Sequence, residues 1–156
     1  MAERSGTREV GKTRDTGWQI GLRRTLPVGV ADAWRAVTSP QGVRAWLGDG
    51  AHVQFEPGSD YALADGSTGT VRVVQPESHL RLTWHPDGWP RPSTIQVRVL
   101  PAGERTTIAF HQEHMPDAAA RQERRAHFAA AMDALERLIA GRANQPIRQP
   151  SSHRTR

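Results

Sequence analysis

The chain of 156 residues contains no cysteine. That removes disulfide staples, a thiol nucleophile and any Cys-rich zinc site. No apolar run approaches the ~20 residues that a membrane-crossing helix needs. The opening stretch MAERSGTREVGKTRDTGW has no apolar core of the kind a secretion signal carries. The expected location is therefore cytoplasmic, with no membrane contact. Lysine is nearly missing, one against twenty arginines, which speaks of codon usage in a GC-rich genome rather than of function. A phosphate-binding Gly-rich loop, a nucleophile elbow, a Ser-His-Asp arrangement and a clustered carboxylate pair are also missing. No catalytic residue is assigned on this basis, and no cofactor is expected.

A formal net charge of +5 invites a nucleic-acid reading, but its location argues against one. Residues 1–16 hold four basic and three acidic side chains, and residues 141–156 hold four basic and none acidic. Residues 17–140 balance thirteen against thirteen. The surplus sits in polar tails with little to bury, so disordered tails are expected at 1–16 and 142–156 around one domain at 17–141. No nucleic-acid partner is expected.

The apolar pattern inside that domain changes period twice. Trp18, Ile20, Leu22 and Leu26 share one strand parity, interrupted by Arg24, which reads as a bulge, a snorkelling side chain or an inward cation. Val30, Ala33, Trp34 and Val37 then follow helical spacing. Ser39-Pro40 supplies an N-cap and a first helical residue for a second short helix bearing Val43, Trp46 and Leu47, stopped by Gly48. From Ala51 the period is two. Short alternating runs at Val53–Phe55, Tyr61–Leu63, Thr70–Pro76, Leu80–Trp84, Ile95–Val99 and Thr107–Phe110 are punctuated by Pro-Gly, Asp-Gly and Pro-Glu turns. The last element runs from Asp117, a candidate N-cap, to Gly141, a candidate stop. Phe128, Met132, Leu135, Leu138 and Ile139 form one apolar stripe along it. At ~1.5 Å per residue it would be ~35 Å long, the one element able to cover the apolar face of the sheet. The expected fold class is α+β: a curved antiparallel sheet of about seven strands around a long C-terminal helix, with two short helices after the first strand.

Such a sheet closed by one helix leaves room for a cavity of a few hundred Å3. Its candidate lining is Trp46, Tyr61, Trp84, Val97, Phe110, Gln112, Phe128 and Met132. Gln112 continues the inward parity of Ile108 and Phe110, so its amide must find a partner inside or serve as a handle for a ligand. The tetrad His111-Gln112-Glu113-His114 has HxxH spacing rather than the HExxH of a zinc helix, and no metal site is assigned to it.

Four segments carry a resemblance: LPVGVADAW (26–34), VTSPQGVRAWLG (37–48), GTVRVVQPESHLRLTW (69–84) and RTTIAFHQEHMPD (105–117). In this order the chain resembles the START-like (SRPBCC, helix-grip) superfamily over about residues 18–140. The branch it resembles is the homologues of the activator of the ninety-kilodalton heat-shock protein ATPase. The family often has Trp at the start of the buried stripe of the last helix, where this chain has Phe128. The resemblance implies an apolar small molecule, lipid- or polyketide-like, held between sheet and helix. The alternatives are a polyketide cyclase or dehydratase using the same cavity, for which His111, Arg24 and Glu113 would be the acid–base candidates, or a ligand-free interaction or co-chaperone-like module. Chaperone stimulation is not implied, because the activator of that name uses a further N-terminal domain for which this chain has no room.

Overall fold

A computed structural model describes residues 12–13, 17–50 and 52–143. Among the described residues seven antiparallel strands form one sheet: β1 (Lys12–Thr13), β2 (Gly17–Leu26), β3 (Asp60–Ala62), β4 (Thr68–Gln75), β5 (His79–Trp84), β6 (Ser93–Ala102) and β7 (Arg105–Met115). Their spatial order is β1-β2-β7-β6-β5-β4-β3. Helices α1 (Val30–Thr38) and α2 (Pro40–Trp46) carry the chain from β2, near one edge, to β3 at the other. A meander then returns to β7, which pairs with β2. Helix α3 (Ala118–Ala143) packs against β2, β7, α1 and α2, and the core lies between it and the inner face of the sheet.

The V of α1 and α2 has a local cause. The Ser39 hydroxyl donates to the Ala36 carbonyl at 2.8 Å and accepts from the Gly42 N–H at 3.0 Å, closing one helix and capping the next. Gly42 is required at this approach, because a Cβ there would overlap the Ala36 carbonyl. Asp117 caps α3 through Oδ1, which accepts from the Ala120 N–H at 2.8 Å. Gly141 does not stop the helix as expected. Its surroundings are open and α3 runs on to Ala143.

Two strands differ from the sequence reading. Residues 52–55 form none, and the Glu56 N–H instead closes on the Gln54 carbonyl at 2.8 Å. Val53 and Phe55 still pack half-buried on the core. Conversely, Lys12 and Thr13, placed by composition in a disordered tail, pair with Trp18 and Gly17. In the C-terminal tail Arg142 and Ala143 belong to α3, and the rest of both tails lies outside the described residues.

Register shifts decide which side chains face inward. In β4 a shift between Val71 and Val73 sets Val73 opposite Arg81 and Val74 opposite Leu80. Directly opposed residues share a face, so Val73 goes to the outer face and Val74 to the inner one. Between β2 and β7 a second shift places Trp18 opposite Met115 and Ile20 opposite Gln112, with His114 at φ 68° taking up the extra residue. Gln112 and Met115 are therefore both buried although three apart. Arg24 extends from β2 to α3, where its Nη1 meets Asp133 and Glu136 at 2.8 Å each. That pairing accounts for the break in strand parity without a ligand.

Candidate functional site

The eight residues assigned to a cavity wall do come together on the inner face. All are buried, none more than 7% exposed. They fill the space between sheet and helix rather than ring an opening. The Phe110 and Phe128 rings stack with centroids 4.9 Å apart, and Trp46 tilts against Phe110 at 6.2 Å. The Trp46 Nε1–H donates to the Val37 carbonyl at 2.9 Å, which fixes its indole as a brace between α1 and α2. Trp34, on the apolar face of α1, is only half-buried against the core.

The unexpected member is Arg124 on α3. It is 7% exposed, its guanidinium carbon lies 4.0 Å over the centroid of the Trp84 ring, and the Phe128 ring centroid is 5.0 Å away. A directional chain of hydrogen bonds holds it. Arg124 Nε–H donates to Gln112 Oε1 at 2.9 Å, Gln112 Nε2–H donates to Ser93 Oγ at 2.8 Å, and the Ser93 hydroxyl donates to the Trp84 carbonyl at 2.8 Å. The Trp84 indole is fixed from its other end. Its Nε1–H donates to Ser67 Oγ at 3.2 Å, and that hydroxyl donates to Asp65 at 2.6 Å. Gln112 thus faces inward as expected, but both ends of its amide are used in positioning Arg124.

Two features set this cluster apart from packing. No carboxylate lies within ion-pairing distance of Arg124 among the described residues, and its Nη2, fully buried, has no hydrogen-bond partner there. An unpaired buried donor is expensive, and more so when it is charged. Burial lowers the guanidinium pKa to about 10, with the nearby Tyr61, Glu123 and Asp65 opposing the shift weakly; the group stays charged at neutral pH. Tyr61 sits close by, its hydroxyl donating to the Thr83 carbonyl at 2.6 Å. Gly69 makes room for that phenol, since a Cβ there would overlap both the Tyr61 hydroxyl and the Thr83 carbonyl. Burial pushes the Tyr61 pKa far up, so the phenol stays protonated.

Arg124 was legible in principle. Extending the stripe of Phe128 and Met132 back at four-residue steps gives Arg124 and Ala120, both buried. Its charge disguised it as a residue of the solvent face.

His111 and His114 each have local partners. His111 Nε2 is 2.9 Å from Gln19 Oε1, and His114 Nδ1 accepts from Arg91 at 3.2 Å. Glu113 lies between them, 3.9 Å from His111 and 3.6 Å from His114. Among the described residues no three His, Asp or Glu side chains converge on a metal-sized site. His127 donates from Nε2 to the Trp46 carbonyl at 2.7 Å. Burial first, then the charge of Arg124, lowers its pKa, with the hydrogen bond to Trp46 opposing. Between that folded value and the ordinary ~6.5 of the unfolded chain, the unfolded state binds more protons, so stability falls as pH falls through this window. Denaturant midpoints measured from pH 7.5 down to 5 should decline in wild type, and the decline should be shallower in His127→Gln. An equal slope in both would place the titrating group elsewhere.

The fold defines a class, the α+β helix-grip proteins, in which one long helix lies in the curve of an antiparallel sheet. Within that class the chain belongs to the family described as Activator of Hsp90 ATPase homolog 1-like protein, whose sequence profile matches residues 27–140. Three solved structures illustrate the likeness. CalU16 from Micromonospora echinospora superposes with TM-score 0.70 at 21% identity, over 85% of this chain and 83% of its own. MLL2253 from Mesorhizobium loti gives 0.69 at 20% identity, over 81% and 99%. PFC0360w, an HSP90 activator from Plasmodium falciparum, gives 0.67 at 14% identity, over 78% and 96%. No curated protein sequence matches the chain. Among the described residues no helix is long and apolar enough to cross a membrane.

Proposed function

We propose that this protein binds a small molecule between the sheet and α3, and that the ligand joins an apolar, ring-bearing body to an anionic or carbonyl oxygen received by Arg124. The observation that carries the reading is the buried, unpartnered Nη2 of Arg124 beside Trp84, Tyr61 and Phe128. An apolar wall with one fixed polar group is the usual composition of a small-molecule site. An oxygen at Nη2 would complete the one open valence of the polar chain through Gln112 and Ser93. Because the side chains pack closely in the free protein, entry requires displacement of side chains at this end of the core. Trp89, packed edge-on against Trp84 at 5.2 Å on the loop between β5 and β6, is the nearest candidate.

The cyclase or dehydratase alternative needs an inward acid or base. Arg24 is engaged by two carboxylates, and His111 and Glu113 belong to the outer face. Arg124 and Tyr61 both hold their protons at neutral pH. Chaperone stimulation belongs to the Plasmodium falciparum protein, and a likeness at 14% identity is one of fold.

The test is a matched pair of probes, 2-naphthoic acid and its methyl ester, titrated while tryptophan fluorescence and melting temperature are followed together. The acid should change the fluorescence of Trp84 and raise the melting temperature, and should bind at least tenfold tighter than the ester. No stabilisation by either probe, or a preference for the ester, would overturn the reading.

A further inference from the structure

The outer face of the sheet, turned away from α3, carries a groove of about 900 Å3. Arg23 on β2, Arg72 on β4, Arg81 on β5 and Arg98 on β6 line it, with His111 and Glu113 on β7. We propose that this groove binds a small molecule bearing several phosphate groups, at a site separate from the one around Arg124 and independent of it.

The convergence of four arginines on one groove, with no carboxylate paired to any of them among the described residues, carries the argument. Arg24, Arg35 and Arg44 each have a carboxylate within 4 Å. The four groove arginines are exposed, and none has an ion pair among the described residues. Arg81 has only long contacts, 3.3 and 3.4 Å, to the Gln96 side chain. Acidic and basic residues balance over 17–140, so acids were available to neutralise this face and stand elsewhere. Among the described residues Glu113 is the one acid lining the groove, and it sits between His111 and His114.

The register turns this excess into a cradle. Arg23 is paired with Ala109, and Ala109 with Arg98, so the two arginines flank a methyl group across three strands. At ~4.8 Å between strands their backbones stand about 10 Å apart. Gly21, His111, Gln96 and Arg81 form the adjoining row. Arg81 and Arg98 are therefore diagonal neighbours, ~7–8 Å apart at the backbone. Gly21 and Ala109 keep the floor low while guanidinium forks rise around it. Such forks match phosphate oxygens two at a time, and several at this spacing suit a ligand whose charges follow one another closely.

Shape and chemistry select the class. The volume lies within the range of a small-molecule site, ~300–1,000 Å3, and the surface is concave where a membrane is flat. No exposed Trp, Tyr or Phe lines it, so it lacks the stacking platform of a single-strand binder. The backbone groups of the central strands are taken by the ladder, which leaves an acidic peptide only side chains to engage.

The experiment is isothermal titration of the full chain at 0.15 M salt with inorganic phosphate, tripolyphosphate and ATP. Poly-glutamate and a single-stranded RNA serve as competing classes. Tripolyphosphate or ATP should bind at least tenfold tighter than inorganic phosphate. Arg23→Gln combined with Arg98→Gln should weaken that binding at least tenfold with unchanged circular dichroism, and each single variant should weaken it in part. Arg137→Gln, on the exposed side of α3, should leave it unaltered. Tighter binding of ATP than of tripolyphosphate would assign a nucleotide, and equal binding the phosphate chain itself. No binding at this salt, equal loss in Arg137→Gln, or preference for poly-glutamate or RNA would each overturn the proposal.

Discussion

Phe128→Ala is expected to cost the ligand-free protein ~3–5 kcal/mol, the range for removing a large aromatic from a closed core. The ring is fully buried, stacked on Phe110 and edged by His127 at 5.1 Å. The neighbours come from β7 and from α3 itself, two rigid elements that cannot collapse onto the space left behind, so the cavity term should remain nearly whole. Met132→Ala, equally buried one turn on, should cost ~2–5 kcal/mol. Denaturant unfolding with an unchanged m-value measures both. Losses below ~1.5 kcal/mol at each site would mean that the two side chains already border empty space.

The second large effect has the opposite sign. Replacing Arg124 by Met and Gln112 by Leu together should stabilise the ligand-free protein by ~1–4 kcal/mol, the gain seen when a buried ion pair gives way to apolar side chains of similar volume, because Arg124 is desolvated without even the carboxylate that such a pair supplies. The pair must be changed together. Arg124→Met alone leaves Gln112 Oε1 without its donor, a cost of ~1–3 kcal/mol that would hide the gain. What the double change gives up is small by comparison. The contact of Arg124 with Trp84 is worth ~0.5–2 kcal/mol, and a thioether against the same ring returns ~0.3–1.5 kcal/mol. Ser93 keeps its bond to the Trp84 carbonyl. A site kept at the expense of stability is the pattern expected where a residue serves binding rather than folding. A double variant less stable than wild type would instead make the polar chain a structural device.

How much of this was readable beforehand follows from what the signals measure. Period-two alternation located β5 to within one residue, Leu80–Trp84 against the observed His79–Trp84, because both faces of that strand have a fixed environment. It failed at Val53–Phe55, where two apolar side chains find the core but their backbone finds no strand. Lys12 and Thr13 were missed because pairing at a sheet edge needs no apolar side chain. The faces of Val73 and Val74 could not be read, because a bulge reverses parity and leaves no mark in composition. The end of α3 was misplaced because glycine permits a stop without demanding one. At the site, Gln112 was found by parity, yet the side chain it serves lies on another element, twelve residues on. That Arg124 meets Gln112 depends on how α3 lies across the sheet, which local pattern does not encode. The absence of a counter-charge around it is a property of the assembled core alone.

The most direct test of the account is what the protein carries when purified. Native mass spectrometry, followed by organic extraction of the released material, should be run on wild type and on the Arg124→Met/Gln112→Leu variant in parallel. The account predicts a bound molecule of a few hundred daltons in wild type, bearing a carboxylate, phenol or carbonyl oxygen on an apolar frame, and its loss from the variant. The same molecule at equal occupancy in both proteins, or wild type free of ligand and unresponsive to 2-naphthoic acid, would contradict the claim that Arg124 is held in the core to receive one.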